Sequence, residues 1–139
     1  MTRFTKVSPA GLLLPADAAE WVAVYDSKLD VTWEKLFHAV PSWERAQCLP
    51  RALGVAGFTD WRMPTVEELF CLADRTRTRP AIDTTFFPDT PNDWFWSSTV
   101  DANAPSACAW IVDFDDGYSY WDHQGYDGVI RAVRDGGGR

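Results

Sequence analysis

The stretch that most restricts what this chain can become is Trp61-Arg62-Met63-Pro64-Thr65-Val66-Glu67-Glu68-Leu69. Thr65 followed three positions later by Glu68 is a capping box, in which each side chain satisfies an orphan N–H at a helix start. Val66, Leu69, Phe70 and Ala73 then recur at helical spacing, so the pattern predicts a helix over residues 66–75 with one apolar face. Arg75 suits the negative end of that helix dipole. The alternation Arg75-Thr76-Arg77-Thr78-Arg79 sets three guanidinium groups along one side of an extended chain. It reads either as an anion clamp or as a solvated loop that offsets an acidic remainder.

Around this helix the pattern is one of short strands. Trp21, Val22, Val24 and Tyr25 run to the turn residues Asp26 and Ser27, and Val31, Thr32 and Trp33 follow, which predicts a hairpin. Ser42 is placed to cap a second helix that turns Trp43, Ala46 and Gln47 inward, until Pro50 kinks it or starts its last turn afresh. Residues 80–110 change character, carrying Thr, Pro, Asp, Asn and Ser around Trp94-Phe95-Trp96. That is long for a connection, so the segment is functional or folded on itself. Strands are expected at 109–114, 118–121 and 129–133, the first two joined through Asp115-Asp116-Gly117, a strong hairpin signal. The predicted organisation is an arm over residues 1–18, one domain over 19–134 and a Gly-rich tail over 135–139.

With 139 residues the chain has room for one self-sufficient core. Its formal net charge of −7 opposes attraction to phosphate backbones and anionic lipid, so no nucleic-acid partner is expected. The Leu12-Leu13-Leu14 run, broken by Pro15, is too short for a secretory segment or a bilayer span, so neither membrane insertion nor standard export is expected. Cys48, Cys71 and Cys108 cannot all pair and show no zinc spacing, which favours free thiols over a single bridge.

No nucleophile elbow, metalloprotease helix, phosphate loop or dinucleotide fingerprint is present, which argues against the common enzyme classes. His38 and His123 are the only imidazoles. The run Asp113-x-Asp115-Asp116-Gly117 suggests calcium only superficially, because the glycine comes one place early and Gln124 stands where a bidentate Glu belongs. No cofactor is expected beyond a weak calcium signal at that run and at Asn92-Asp93-Trp94.

Five ordered blocks carry a resemblance: Trp61-Arg62-Met63-Pro64-Thr65 with Glu67-Glu68-Leu69; Phe87-Pro88; Trp96-Ser97-Ser98-Thr99; Ala109-Trp110-Ile111-Val112-Asp113-Phe114; and Val129-Ile130-Arg131-Ala132-Val133-Arg134. From about Trp21 to Arg134 the chain resembles the domain at the C-terminus of bacterial collagen-like adhesins, the Lcl C-terminal type. The resemblance implies an α+β, C-type-lectin-like fold. Two helices would pack on a twisted antiparallel sheet, the terminal strands would pair, and a long loop region would carry the ligand. Members often have a cysteine where this chain has Ala132, and the sulfated polysaccharide bound by such adhesins fits poorly with an acidic chain. Distant relatives on the fold include formylglycine-generating oxidases, whose paired thiols Cys48, Cys71 and Cys108 do not match.

Trp61, Leu69, Trp96, Trp110 and Phe114 are spaced as core residues, and Arg62 and Arg131 read as paired structural arginines. The candidate ligand site lies where aromatics and polar groups crowd the turns: Asn92, Asp93 and Trp94, with Asp116, Tyr118, Tyr120, Trp121, Asp122, His123, Gln124 and Tyr126. Trp and Tyr stack on sugar faces while Asp, Asn and Gln take hydroxyls, and protein epitopes use the same residue types. The expected function is therefore a non-enzymatic module that binds a cell-surface glycan or protein. It would be made in the cytoplasm without a signal peptide and docked through residues 1–18 into a larger assembly, such as a phage tail, virion or cell-surface structure. A structural or decoration subunit that self-associates is the alternative, ahead of an oxidase.

Overall fold

Apolar runs of three to seven residues, rich in Val, Trp and Phe, each form a strand. In the computed structural model, which describes residues 2–137, they assemble into two sheets joined with two short α-helices, an α+β architecture. The first sheet has the order β1(Phe4–Val7), β2(Ala23–Asp26), β3(Val31–Glu34), β9(Val133–Asp135), with every neighbouring pair antiparallel. The second has the order β4(His38–Val40), β8(Gly128–Ile130), β5(Trp94–Val100), β6(Cys108–Asp113), β7(Tyr118–His123), antiparallel except between β5 and β8.

Alternation gives the second sheet two buried faces. Phe95, Val112 and Val129 turn to one side, where Leu69 and Leu72 of α2(Val66–Leu72) join them with Val24 and Trp33 of the first sheet. Trp96, Ile111 and Ile130 turn to the other side, against Ala46 of α1(Trp43–Cys48) and Met63. The sheet is thus sandwiched, with α1 over β4, β8 and β5, while its last strand, β7, is an edge.

Both helices start as their sequences dictate. The Ser42 side chain accepts from the Arg45 N–H, and the Thr65–Glu68 capping box is closed in both directions. Pro50 begins a separate 3₁₀ turn, Leu49–Ala52. The second helix is shorter than its periodicity predicts, because Ala73 adopts an extended backbone and Arg75 turns away to donate to the Gly117 carbonyl at 2.7 Å. Arg77 pairs with Asp74 and Asp83, and Arg79 with Asp115, so the Arg-Thr alternation neutralises local carboxylates and does not form an anion clamp.

Four expectations are corrected. The arm expected over residues 1–18 begins with a strand: β1 pairs with β2 from Phe4↔Asp26 to Val7↔Ala23, and Val7 is fully buried. Its Leu12 and Leu13 are exposed, as a surface loop. The strand expected over 129–133 is two strands in different sheets, since the chain crosses between them at Arg131 and Ala132. The terminal strands do not pair with each other; β1 and β9 are opposite edges of the first sheet. The tail expected over 135–139 starts inside that sheet: Asp135 ends β9 opposite Val31, and the Gly136 N–H donates to the Asp30 carbonyl, while Gly138 and Arg139 lie outside the described residues. The long connection over 80–110 is folded on itself and contains β5.

The crossover is held by Arg131, which is fully buried. Its guanidinium donates to the carbonyls of Glu34, Lys35 and Leu36 and to the Thr90 hydroxyl, and stacks over Phe87. Burial lowers its proton affinity to about 9, against the opposing charge of Glu34. It is structural, as its motif suggested, but main-chain carbonyls and a hydroxyl take the place of a paired carboxylate. Arg62 is paired, bidentate to Glu68 and also bonded to Asp135. Trp61, Leu69, Trp96 and Phe114 are buried, while Trp110 is only half-buried.

Candidate functional site: an acidic and aromatic band

The candidate residues between 118 and 123 fall on two faces of one edge strand. Tyr118 stands opposite Asp113, Tyr120 opposite Ile111 and Asp122 opposite Ala109, so these three share the face that α1 covers elsewhere. Ser119, Trp121 and His123 stand opposite Val112, Trp110 and Cys108, on the α2 face. A single site containing all of 118–123 is therefore excluded by the pleat.

On the α1 face, register brings distant residues into one row. Trp94 of β5 lies opposite Asp113 of β6, which lies opposite Tyr118 of β7. Tyr120 follows one row on, its hydroxyl donating to the Asp116 carboxylate at 3.0 Å. Asp116 also accepts the Tyr118 N–H, so the hairpin turn itself fixes where these aromatics stand. At the β5 end, Asp93 and Trp94 line a groove of about 650 Å³ with Pro41, Asp127 and Gly128. Gly128 is required there, because a Cβ would stand 2.7 Å from Nε1 of the buried Trp96. That indole nitrogen has no hydrogen-bond partner among the described residues.

The band is strongly acidic. Among the described residues, Asp93, Asp113, Asp116, Asp122 and Asp127 have no Lys or Arg within ion-pairing distance. Asp113 is raised above its usual 3.8, chiefly by burial; the Asp115 N–H opposes this, and the charges of Asp116, Asp115 and Asp93 add to it. The aromatics remain open to solvent, with Tyr118 at 53% and Tyr120 at 47% exposure. Such a surface can stack a planar or apolar face and take hydroxyl or ammonium donors at its carboxylates.

The remaining candidates separate from the band. Trp121 is exposed on the opposite face, and Tyr126 packs edge-on against His123 with ring centroids 5.8 Å apart. His123 Nδ1 lies 3.8 Å from the Cys108 thiol. Gln124 is structural: its side-chain amide donates to the Pro105 and Cys108 carbonyls, and its main-chain carbonyl accepts the Trp43 N–H at the start of α1. Asn92 is exposed beside the groove. All three cysteines are free.

Among the described residues no group of three or more His, Cys, Asp or Glu is arranged to hold a metal ion, and no helix is long and apolar enough to cross a membrane. The carboxylates of Asp113 and Asp116 instead cap the hairpin turn, accepting the N–H groups of Asp115 and Tyr118.

Sequence reasoning missed Asp113, Asp127 and Gly128 as members of the band. One signal could have found them: residues 80–130 contain nine Asp and no Lys or Arg, so that all 13 Lys and Arg lie elsewhere. The model of the Lcl C-terminal domain family matches residues 22–134. Among curated proteins, none matches the chain.

Proposed function

The chain belongs to the Lcl C-terminal domain family, and from that premise we propose that it is a non-enzymatic, adhesin-like recognition module on a C-type-lectin-like scaffold. It binds a carbohydrate or protein at a cell surface, as part of a larger assembly of the phage-tail, virion or surface kind. One observation carries this reading: Tyr118, Tyr120, Trp121 and Tyr126 each leave about half of their surface in water, on an edge strand and its following turn. A chain of this size has ample interior for aromatics, and large exposed ones held on a rigid element mark contact surfaces.

The face bearing Trp94, Tyr118 and Tyr120 is the better binding surface of the two, because carboxylates surround the aromatics there. Fluorescently labelled protein is tested on intact bacterial cells and on a glycan panel, with and without calcium. Saturable binding is expected, lost in Tyr118→Ala/Tyr120→Ala and weakened less by Trp121→Ala/Tyr126→Ala, both checked for native thermal unfolding. No binding by the native chain to cells or panel at high concentration would overturn the reading. The exposed Tyr and Trp side chains also suit subunit contacts, which supports a second reading, a structural or decoration subunit, and concentration-dependent self-association would favour it.

A further inference from the structure

Strand β7 is an edge whose two faces differ in chemistry, and that difference defines what could pair with it. The Gln124 N–H donates to the Ala107 carbonyl just beyond the last β6–β7 pair, Cys108↔His123. Antiparallel alternation then places Tyr120 and Asp122 in pairs bonded to β6 and turns the main-chain groups of Ser119, Trp121 and His123 outward. The His123 N–H is closed by the Asp122 carboxylate at 2.8 Å. Ser119 and Trp121 lie on a strand that, apart from Asp122, lacks the usual edge protections: no Pro, no Lys and a regular register along its whole length.

An added strand would place alternate side chains on the two faces. Those on the α1 face meet Tyr118, Tyr120, Asp116 and Asp122; Arg75 already lies 6.0 Å from the centre of the Tyr118 ring, but neither carboxylate has an ion-pair partner among the described residues. Those on the α2 face meet Ser119, the exposed Trp121 and His123. Charge complementarity selects Lys or Arg for the first set, where the cation also meets the Tyr120 ring, which has no cation over it among the described residues. Apolar or aromatic residues suit the second. A second copy of this chain is disfavoured, because it would bring Asp116 and Asp122 of both edges to the same seam.

We propose that β7 is a docking edge for an extended polypeptide segment of another protein that alternates basic with apolar residues and adds as a sixth strand to the five-stranded sheet. This rests on the recognition reading above and names its partner class as a cationic strand rather than a neutral or sulfated sugar.

The test is fluorescence anisotropy of the full chain with a labelled peptide alternating Lys and Val over the six residues of β7. Expected is saturable binding that weakens with salt and is at least about tenfold tighter than for the same residues in block order or for an alternating Glu and Val peptide. N-methylation of every second residue should abolish it for one parity and spare it for the other, which probes the ladder without altering the protein. Tyr118→Ala/Tyr120→Ala should weaken binding by about fivefold or more, while Asp17→Asn/Glu20→Gln, which removes two charges elsewhere, should leave it unchanged. Equal weakening by both doubles, or indifference to N-methylation, would overturn the proposal in favour of general charge attraction. Stronger binding of glucosamine oligomers than of the peptide would overturn it in favour of an amino-sugar site. The cell and glycan assay is run in parallel: binding there without peptide binding removes this inference and leaves the recognition reading intact, whereas absence of both removes the two together.

Discussion

Gly128→Ala is the most direct trial of how the groove is built. An ideal Cβ on Gly128 would lie 2.7 Å from Nε1 and 2.9 Å from Cδ1 of Trp96, well inside the 3.5 to 4.0 Å at which carbon atoms rest. Trp96 has no exposed surface and packs with Ala109, Ile111 and Ile130, so the ring has nowhere to retreat. Gly128 is itself tied to Val40 by register, so its backbone resists moving too. Overpacking of this kind costs about 1–3 kcal/mol, partly offset by about 0.4–1 kcal/mol from the reduced freedom of the unfolded chain. A net loss of about 1–2 kcal/mol is expected, read as a lower urea midpoint at unchanged slope. Gly125→Ala is the control, since nothing lies within 4 Å of its Cβ position, and it should be neutral or slightly stabilising. Trp96→Leu removes Nε1, the atom that the new methyl would meet most closely, and with it an N–H that has no partner among the described residues. Gly128→Ala should therefore cost at least about 1 kcal/mol less in that background. If Gly128→Ala proves as harmless as Gly125→Ala, the close approach of the indole to the groove floor is wrong.

Three further outcomes are expected. Arg131→Met should lower stability by about 3–5 kcal/mol in chemical denaturation, because it strands the carbonyls of residues 34–36 and the Thr90 hydroxyl in the interior; a loss under about 1 kcal/mol would mean that those groups find other partners. Glu68 is held below its usual 4.5: burial alone would raise it, but the Arg62 fork and the Thr65 N–H outweigh that. A depressed carboxylate contributes stability above its unfolded value and loses it as pH falls through its folded value, so Glu68→Gln should destabilise by about 1–3 kcal/mol at pH 7 and converge on the native chain in acid. A constant difference down to pH 2 would contradict this. Deleting residues 1–8 removes β1, exposes the edge of β2 and opens the Arg3–Asp26 pair, and the cooperative thermal transition should be lost or strongly lowered; an unchanged transition would restore the view of this segment as an arm.

The sequence determined local structure wherever one short pattern was enough. The Thr65–Glu68 capping box, the Ser42 cap, the break at Pro50 and the Asp116-Gly117 hairpin all depend on residues within a few positions of each other, and each forms as its spacing requires. The ordered motifs were enough to reach the family. What the tertiary structure alone decided is everything that depends on register and on distant partners. Phe4–Val7 is a strand only because β2 is there to pair with it, and residues 129–133 divide between two sheets only because buried Arg131 finds three carbonyls and a hydroxyl at the crossing.

The candidate site shows the same division. Composition marked Trp94, Tyr118, Tyr120 and Trp121 as contact residues, and all are at least partly exposed. A one-residue step along β7 reverses the face, however, and no local pattern says which parity looks toward α1. Trp94, Asp113 and Tyr118 are separated by up to 24 positions yet form one row, because hydrogen-bond register between three strands, and not proximity along the chain, sets which side chains meet.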